Sequence, residues 1–232
     1  MNVKTDQLID LLSANLEPVN ARWLGKTLVL AILAGGTGAA VLMLATVGPR
    51  AGLQSAAHLE WAALKLVLPL SVIGLGTPSL AHSMRPGLES RANWLLVLLP
   101  FVIAIAVGFA MLLIVHPEAW IRMLLGASQI SSPRCFLCIL SFAATPLAVL
   151  IWALREGAPT RLEASGALAG IVAGGIGAVA YAFNCDSDTI PFITIWYSAA
   201  ILLCAFIGAK LGPRLLRWWI GARHRDRVRN VN

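Results

Sequence analysis

The chain alternates between six long apolar stretches and short polar connections. Each stretch is close to the roughly 20 residues that a helix needs to cross a hydrocarbon core about 30 Å thick. Backbone groups in hydrocarbon must be hydrogen-bonded internally, so all six stretches are predicted to be α-helices. The pattern therefore predicts an all-α integral membrane protein with six transmembrane helices, near residues 27–47, 60–81, 94–115, 135–154, 165–183 and 192–212.

The segment before the first span has a different pattern. In residues 5–16 apolar side chains recur at helical spacing and polar side chains occupy the opposite face, which predicts a short amphipathic helix outside the membrane. Its apolar face lies on the bilayer, packs on the protein's own spans, or binds a protein partner. The residues that would form a partner surface are Asp6, Leu8, Ile9, Leu12 and Leu16.

Composition and charge set the class and the orientation. The 232 residues are 58% hydrophobic and only 12% charged, which excludes an ordinary soluble domain. The net charge of +7 comes largely from basic residues near the carboxyl end, a pattern typical of a cytoplasmic membrane end rather than of nucleic-acid binding. With a cytoplasmic amino terminus, fourteen basic residues lie inside and three, Arg50, Arg122 and Arg134, lie outside.

This imbalance predicts that both termini are cytoplasmic. It divides the chain into an amino-terminal cytoplasmic segment (1–24), a six-helix bundle (25–213) and a basic cytoplasmic tail (214–232). The loops that contain Arg50, residues 116–134 and residues 185–188 are then periplasmic or extracellular.

Polar residues inside the spans are few. Lys65 is the one charge within an apolar stretch, which by itself indicates a functional residue. Its position near the span's end favours the alternative that its ammonium group reaches the outer interface beside Glu60. Gly166, Gly170 and Gly174 repeat at intervals of four, which indicates close helix packing within the bundle or, alternatively, a dimer contact. No catalytic motif is present, so we expect no enzyme activity, no cofactor and no small-molecule substrate.

The cysteines are the strongest functional clue. Two consecutive spans return the chain to the same face, which places Cys135 and Cys138 within reach of Cys185. Cys135 and Cys185 stand at polar membrane edges, where we expect water and oxidants to reach them. Arg134 should favour a thiolate at Cys135, whereas the neighbouring aspartates should oppose one at Cys185, so Cys135 is expected to react first.

Other interpretations of the cysteines remain open. A soft metal ion bound transiently by Cys135 and Cys185, with Cys138 as a third thiolate, suits the spacing. The cysteines are alternatively structural, because cysteine is also a common small residue in apolar segments. A thioredoxin-like role for the C-x-x-C pair is disfavoured, since that motif occurs between a strand and a helix.

Three segments resemble the NrsF family (negative regulator of sigma F), six-span bacterial membrane anti-sigma factors. They read TDQLIDLLSANLEPV, REGAPTRLEASGALAGIVAGGIGAVAYAFNC and WYSAAILLCAFIGAKLGPRLLRW. The resemblance implies an inner-membrane protein whose amino-terminal segment binds an extracytoplasmic-function (ECF) sigma factor. It also implies that two periplasmic cysteines, here Cys135 and Cys185, sense heavy-metal or oxidative stress.

Two other function classes fit the spans. One is a small transporter or channel for a soft metal or a thiol-reactive species, and the other is a membrane scaffold with structural cysteines. The amino-terminal helix separates these classes, because a sigma-binding protein needs such a surface and a transporter does not.

Overall fold

Almost all of the described part of the chain is helical. The structure is a computed structural model that describes residues 21–50, 56–85, 87, 93–126 and 131–229. Within these ranges there is no β-strand, and a 3-10 turn, Pro117–Ala119, precedes a short helix. The helices are α1 (Ala21–Thr46), α2 (Ala56–Ser83), α3 (Trp94–Ile114), α4 (Trp120–Leu125), α5 (Ser131–Glu156), α6 (Leu162–Ala182) and α7 (Ile190–Arg229).

Six of these helices are long and apolar enough to cross a membrane, which confirms the predicted fold class. The candidate spans run over Trp23–Thr46, Ala63–Ser83, Trp94–Ile114, Pro133–Glu156, Leu162–Ala182 and Ile190–Leu216. Helix α7 continues beyond the last span to Arg229, so most of the region predicted as a basic tail is helical. The predicted amphipathic helix of residues 5–16 lies outside the described residues.

Helix α6 forms the centre of the bundle because its small residues let neighbouring backbones approach. A methyl group at Gly170 would overlap the carbonyl group of Cys204 in α7, and one at Gly166 would overlap that of Gly208. Most side chains of α6 are buried. The glycine row therefore packs within the bundle, as the first of its two interpretations predicted.

Helix α1 also packs against α5 through glycines that allow close approach. A Cβ atom at Gly35 would lie 2.7 Å from the Cα atom of Pro146, and one at Gly38 would lie 2.7 Å from the side chain of Thr145. This contact holds α5, which carries two of the four cysteines, against the rest of the bundle.

The connections define two ends of the bundle. At the thiol end, which contains residues 47–50, 115–126 and 183–189, the Arg50 amide donates to the Phe183 carbonyl (3.0 Å) and the Asn184 side chain donates to the Gly48 carbonyl (2.8 Å). At the basic end, which contains residues 84, 85 and 157–161, the Ala158 amide donates to the Met84 carbonyl (3.1 Å).

Candidate functional site

The fold brings Cys135 and Cys185 together at the thiol end. Cys135 lies in the second turn of α5, and Cys185 lies in loop 183–189, which joins α6 to α7. Both thiols are free, and they lie within hydrogen-bonding contact of each other. Helices α5 and α6 form the hairpin that returns the chain to this end, and the site is therefore a pair of facing thiols.

The expectation that water reaches these thiols is wrong in this structure. Cys135 has 0% of its surface exposed and Cys185 has 2%. Loop 183–189 is held over them, because the Thr189 hydroxyl donates to the Met123 carbonyl (3.0 Å). Gly126, at a φ of 86°, packs so closely on Ser187 that a methyl group there would overlap the serine hydroxyl. Sequence alone does not show how this loop folds back.

Lys65 points into the protein, which corrects the prediction that it reaches the membrane interface beside Glu60. Its side chain is 2% exposed. The ammonium group donates to the Cys185 carbonyl (2.7 Å) and pairs with a carboxylate oxygen of Asp188 (2.5 Å). These internal partners replace the water that an interfacial lysine would use, since a buried cation needs an anion and hydrogen bonds.

A charge cluster, composed of Arg50, Lys65 and Asp188, surrounds the cysteine loop. Arg50 Nη1 lies 2.9 Å from the second oxygen of Asp188, and Arg50 Nε lies 3.5 Å from Asp186. Burial opposes ionisation of Asp188, but hydrogen bonds from Lys65 and Arg50 hold the pKa of its carboxyl group below the usual value. The cluster thus joins the ends of α1 and α2 to the loop that carries Cys185.

The surroundings of the two thiols reverse their expected order of ionisation. The hydrogen bond from Cys135 and the positive charge of Lys65 outweigh burial and lower the pKa of the Cys185 thiol to about 6. Arg134, expected to activate Cys135, instead hydrogen-bonds to Cys138. Asp188 does not oppose ionisation as expected, because two cations neutralise it. Cys185 is therefore the more readily ionised candidate nucleophile.

The sequence did not predict the contact of Tyr197 with the thiol pair or the partners of Lys65. Tyr197 in α7 is fully buried, and its hydroxyl lies beside the Cys185 thiol. Its position in an apolar span gave no sign of this contact. The charge cluster could have been predicted, because a lysine inside a span has to pair with an internal anion or reach the membrane interface. Asp188 lies at the same end of the spans and could supply that anion.

Among the described residues, no third metal ligand lies beside the thiol pair. In the described ranges, no group of three or more His, Cys, Asp or Glu side chains is arranged to hold a metal ion. Cys138 is half-buried and contacts Arg134, and Cys204 is buried against Gly174 of α6. Transient binding of a soft metal by Cys135 and Cys185 alone stays a prediction.

The model of the NrsF family, negative regulator of sigma F, matches residues 12–218 of the chain. The chain belongs to the NrsF family. It is 34% identical over 229 residues to the anti-sigma-F factor NrsF of Caulobacter vibrioides (strain NA1000 / CB15N), covering 93% of this chain and 100% of the relative. It is 30% identical over 220 residues to the probable anti-sigma-F factor NrsF of Azospira oryzae (strain ATCC BAA-33 / DSM 13638 / PS), with the same coverage. No solved structure matches.

Membership of the NrsF family confirms the resemblance seen in the sequence. The residues expected to bind a sigma factor, Asp6, Leu8, Ile9, Leu12 and Leu16, lie outside the described residues. The family match includes Cys135 and Cys185, and of the five residues expected to bind the sigma factor it includes Leu12 and Leu16.

Proposed function

We propose that the chain is a membrane-bound anti-sigma factor that holds an ECF sigma factor at the cytoplasmic face and releases it when the thiol pair reacts. Membership of the NrsF family supports the sigma-factor partner, and the relatives carry the name anti-sigma-F factor. The observation that carries the thiol control is the buried contact of Cys135 and Cys185 beside the Lys65 ammonium group.

Oxidation of the pair is the proposed reaction, and because both thiols are buried, loop 183–189 has to open before an oxidant reaches Cys185. The Cys185 thiolate attacks a two-electron oxidant such as a peroxide, the O–O bond breaks, and a sulfenic acid forms at Cys185. The Cys135 thiol then attacks that sulfur, water leaves, and the disulfide forms. In sum the two thiols lose two protons and two electrons, and the peroxide becomes two molecules of water or of water and an alcohol.

A soft metal ion is the second input of the proposed sensor. Two thiolates suffice for a soft cation that accepts two ligands, whereas zinc prefers four. The Lys65 ammonium group opposes a second cation beside Cys185, and the described residues supply no group of three ligands. We therefore propose oxidation as the main input and heavy metals as ions that displace the two thiol protons.

The energy of a disulfide is of the right order for a switch. Moving a two-state equilibrium from 1:99 to 99:1 requires about 5.5 kcal/mol of differential stabilisation. A disulfide stabilises a fold against unfolding by typically about 2–4 kcal/mol and up to about 5. Only the part of this energy that differs between the resting and released states moves the switch, so oxidation suffices when the resting state is modestly favoured.

The amino-terminal helix is the proposed sigma-factor contact. Its apolar stripe is predicted from the sequence, and burying each leucine in a partner groove would contribute about 1.5–3 kcal/mol. The basic imbalance of the loops supports cytoplasmic placement of this helix in the inner membrane, with the thiol end on the periplasmic side.

Co-purification tests the sigma-factor contact. The full chain is solubilised from membranes of cells grown under reducing conditions that also express the ECF sigma factor encoded beside it. The sigma factor should elute with the chain in a fixed ratio, and unrelated sigma factors should not. Recovery of the chain without that sigma factor, from membranes in which both are abundant, would contradict the proposed function.

A further inference from the structure

Helix α2 connects the thiol end to the basic end of the bundle. Lys65 lies in its third turn, and Met84 follows its last residue. They lie 19 positions apart in the sequence. At a rise of 1.5 Å per residue this separation corresponds to about 28 Å, close to the thickness of the hydrocarbon core. The helix is unbroken between these residues although it contains Pro69 and Pro78, so α2 is a continuous link between the two ends.

Both ends of α2 are bonded to functional segments. At the thiol end, the Lys65 ammonium group holds the carbonyl of Cys185 (2.7 Å) and the carboxylate of Asp188 (2.5 Å). At the basic end, the Met84 carbonyl accepts a hydrogen bond from the Ala158 amide (3.1 Å). Gly157 is packed so closely that a Cβ atom there would lie 2.8 Å from the same carbonyl.

We propose that Lys65 is a positioning residue that couples the thiol pair to α2, so that a reaction at Cys185 reaches the turn of residues 157–161 at the basic end. This inference rests on the proposed function, in which the basic end faces the sigma factor. The turn of residues 157–161 is then a second region, besides the amino-terminal helix, that changes when the thiols react.

The buried position of Lys65 makes the coupling tight. A disulfide needs the two sulfur atoms about 2.05 Å apart, far closer than a thiol hydrogen bond, so the two cysteines must approach when it forms. Cys185, in loop 183–189, is less constrained than Cys135 in helix α5 and is the residue expected to move. The Lys65 ammonium group is 2% exposed, and an unpaired buried charge is strongly unfavourable. It must therefore keep its contacts with the Cys185 carbonyl and Asp188 when the loop moves. Lys65 therefore follows the loop, and α2 moves with it.

Amide hydrogen exchange of the full chain in lipid nanodiscs tests this coupling. The chain is compared before and after oxidation with diamide, in which two thiols are oxidised to a disulfide and the N=N bond is reduced to a hydrazine. Mass spectrometry reports both disulfide formation and the exchange of residues 155–161. In the unmodified chain we expect oxidation to change the exchange of this turn several-fold.

The variants separate coupling from a merely structural role. Lys65→Met should still form the disulfide, but the difference in exchange between the oxidised and reduced states should vanish. Lys65→Arg should restore that difference. Lys210→Met, which removes an exposed lysine at the other end of the bundle, is the matched control and should behave like the unmodified chain. A structural defect would raise exchange equally in both redox states.

Each outcome has a definite meaning. If Lys65→Met transmits oxidation to residues 155–161 as fully as the unmodified chain, the coupling is refuted and the proposed function stands. If the unmodified chain forms the disulfide without a change in the turn, the coupling is likewise refuted. If Cys135 and Cys185 form no disulfide in the unmodified chain, the proposed oxidation fails first. Where Lys65→Met does not accumulate, Lys65→Gln with Asp188→Asn replaces it, with the same expected loss.

Discussion

Removing Asp188 should destabilise the protein more than removing Lys65, although both changes break the same ion pair. Asp188→Ala leaves a lysine that is 2% exposed without its anion, and breaking a buried pair in this way costs about 3–5 kcal/mol. Lys65→Met leaves a carboxylate that is 24% exposed and still paired with Arg50 at 2.9 Å. Its cost is the loss of hydrogen bonds to a charged donor, about 1.5–3 kcal/mol.

The assay is reversible unfolding in mixed micelles, followed by the fluorescence of the eight tryptophans. The double variant Lys65→Met with Asp188→Ala should be more stable than the sum of the two single changes predicts, because no unpaired charge remains. If Asp188→Ala costs no more than Lys65→Met, or if the two changes are additive, Lys65 is not a buried partner of Asp188.

Three further predictions concern the packing of α6 on α7, the contact with the sigma factor and the ionisation of Cys185. Gly170→Ala should destabilise the bundle by about 1–3 kcal/mol in the same assay, because its methyl group would meet backbone in α7, whereas the control Gly74→Ala meets nothing within 4 Å and should not. Leu8→Asp with Leu12→Asp should release the sigma factor in co-purification at unchanged membrane levels, and a fully retained sigma factor would place the contact elsewhere. The hydrogen bond from Cys135 and the charge of Lys65 lower the pKa of Cys185 to about 6, whereas its pKa in the unfolded chain is about 9. The free energy of unfolding should therefore increase as the pH rises from about 6 to about 9, and this gain should be lost when the pH falls through 6. The measurement is the free energy of unfolding of the unmodified chain and of Cys185→Ser from about pH 5 to 9. A difference between the two that does not change with pH contradicts the prediction.

The spans and the helix packing were predictable from the sequence because each depends on local pattern. Apolar length alone sets a transmembrane helix, and the predicted boundaries agree with the six candidate spans to within a few residues. The spacing of Gly166, Gly170 and Gly174 predicted a close helix contact, although not that α7 would be the partner. The return of the chain across two spans predicted that Cys135 and Cys185 would approach each other.

The chemistry of the thiol pair was not predictable because it depends on how loop 183–189 folds. Adjacent residues in the sequence suggested Arg134 as the activating cation and the aspartates as opposing charges. The loop instead turns Asp188 towards Lys65 and Arg50, and α5 turns Arg134 towards Cys138. The residues that affect the two thiols are therefore those that contact them in the fold and not those adjacent in the sequence. As a result the expected nucleophile changes from Cys135 to Cys185.

The central claim, that the thiol pair controls sigma-factor binding, is tested most directly by the amount of sigma factor retained on the immobilised chain before and after oxidation. Diamide should release the sigma factor from the unmodified chain and from the control with Cys138→Ser and Cys204→Ser. The variant with Cys135→Ser and Cys185→Ser should bind the sigma factor equally well and keep it after oxidation. Full release from that variant would contradict the account, because the oxidant would then act somewhere other than at Cys135 and Cys185.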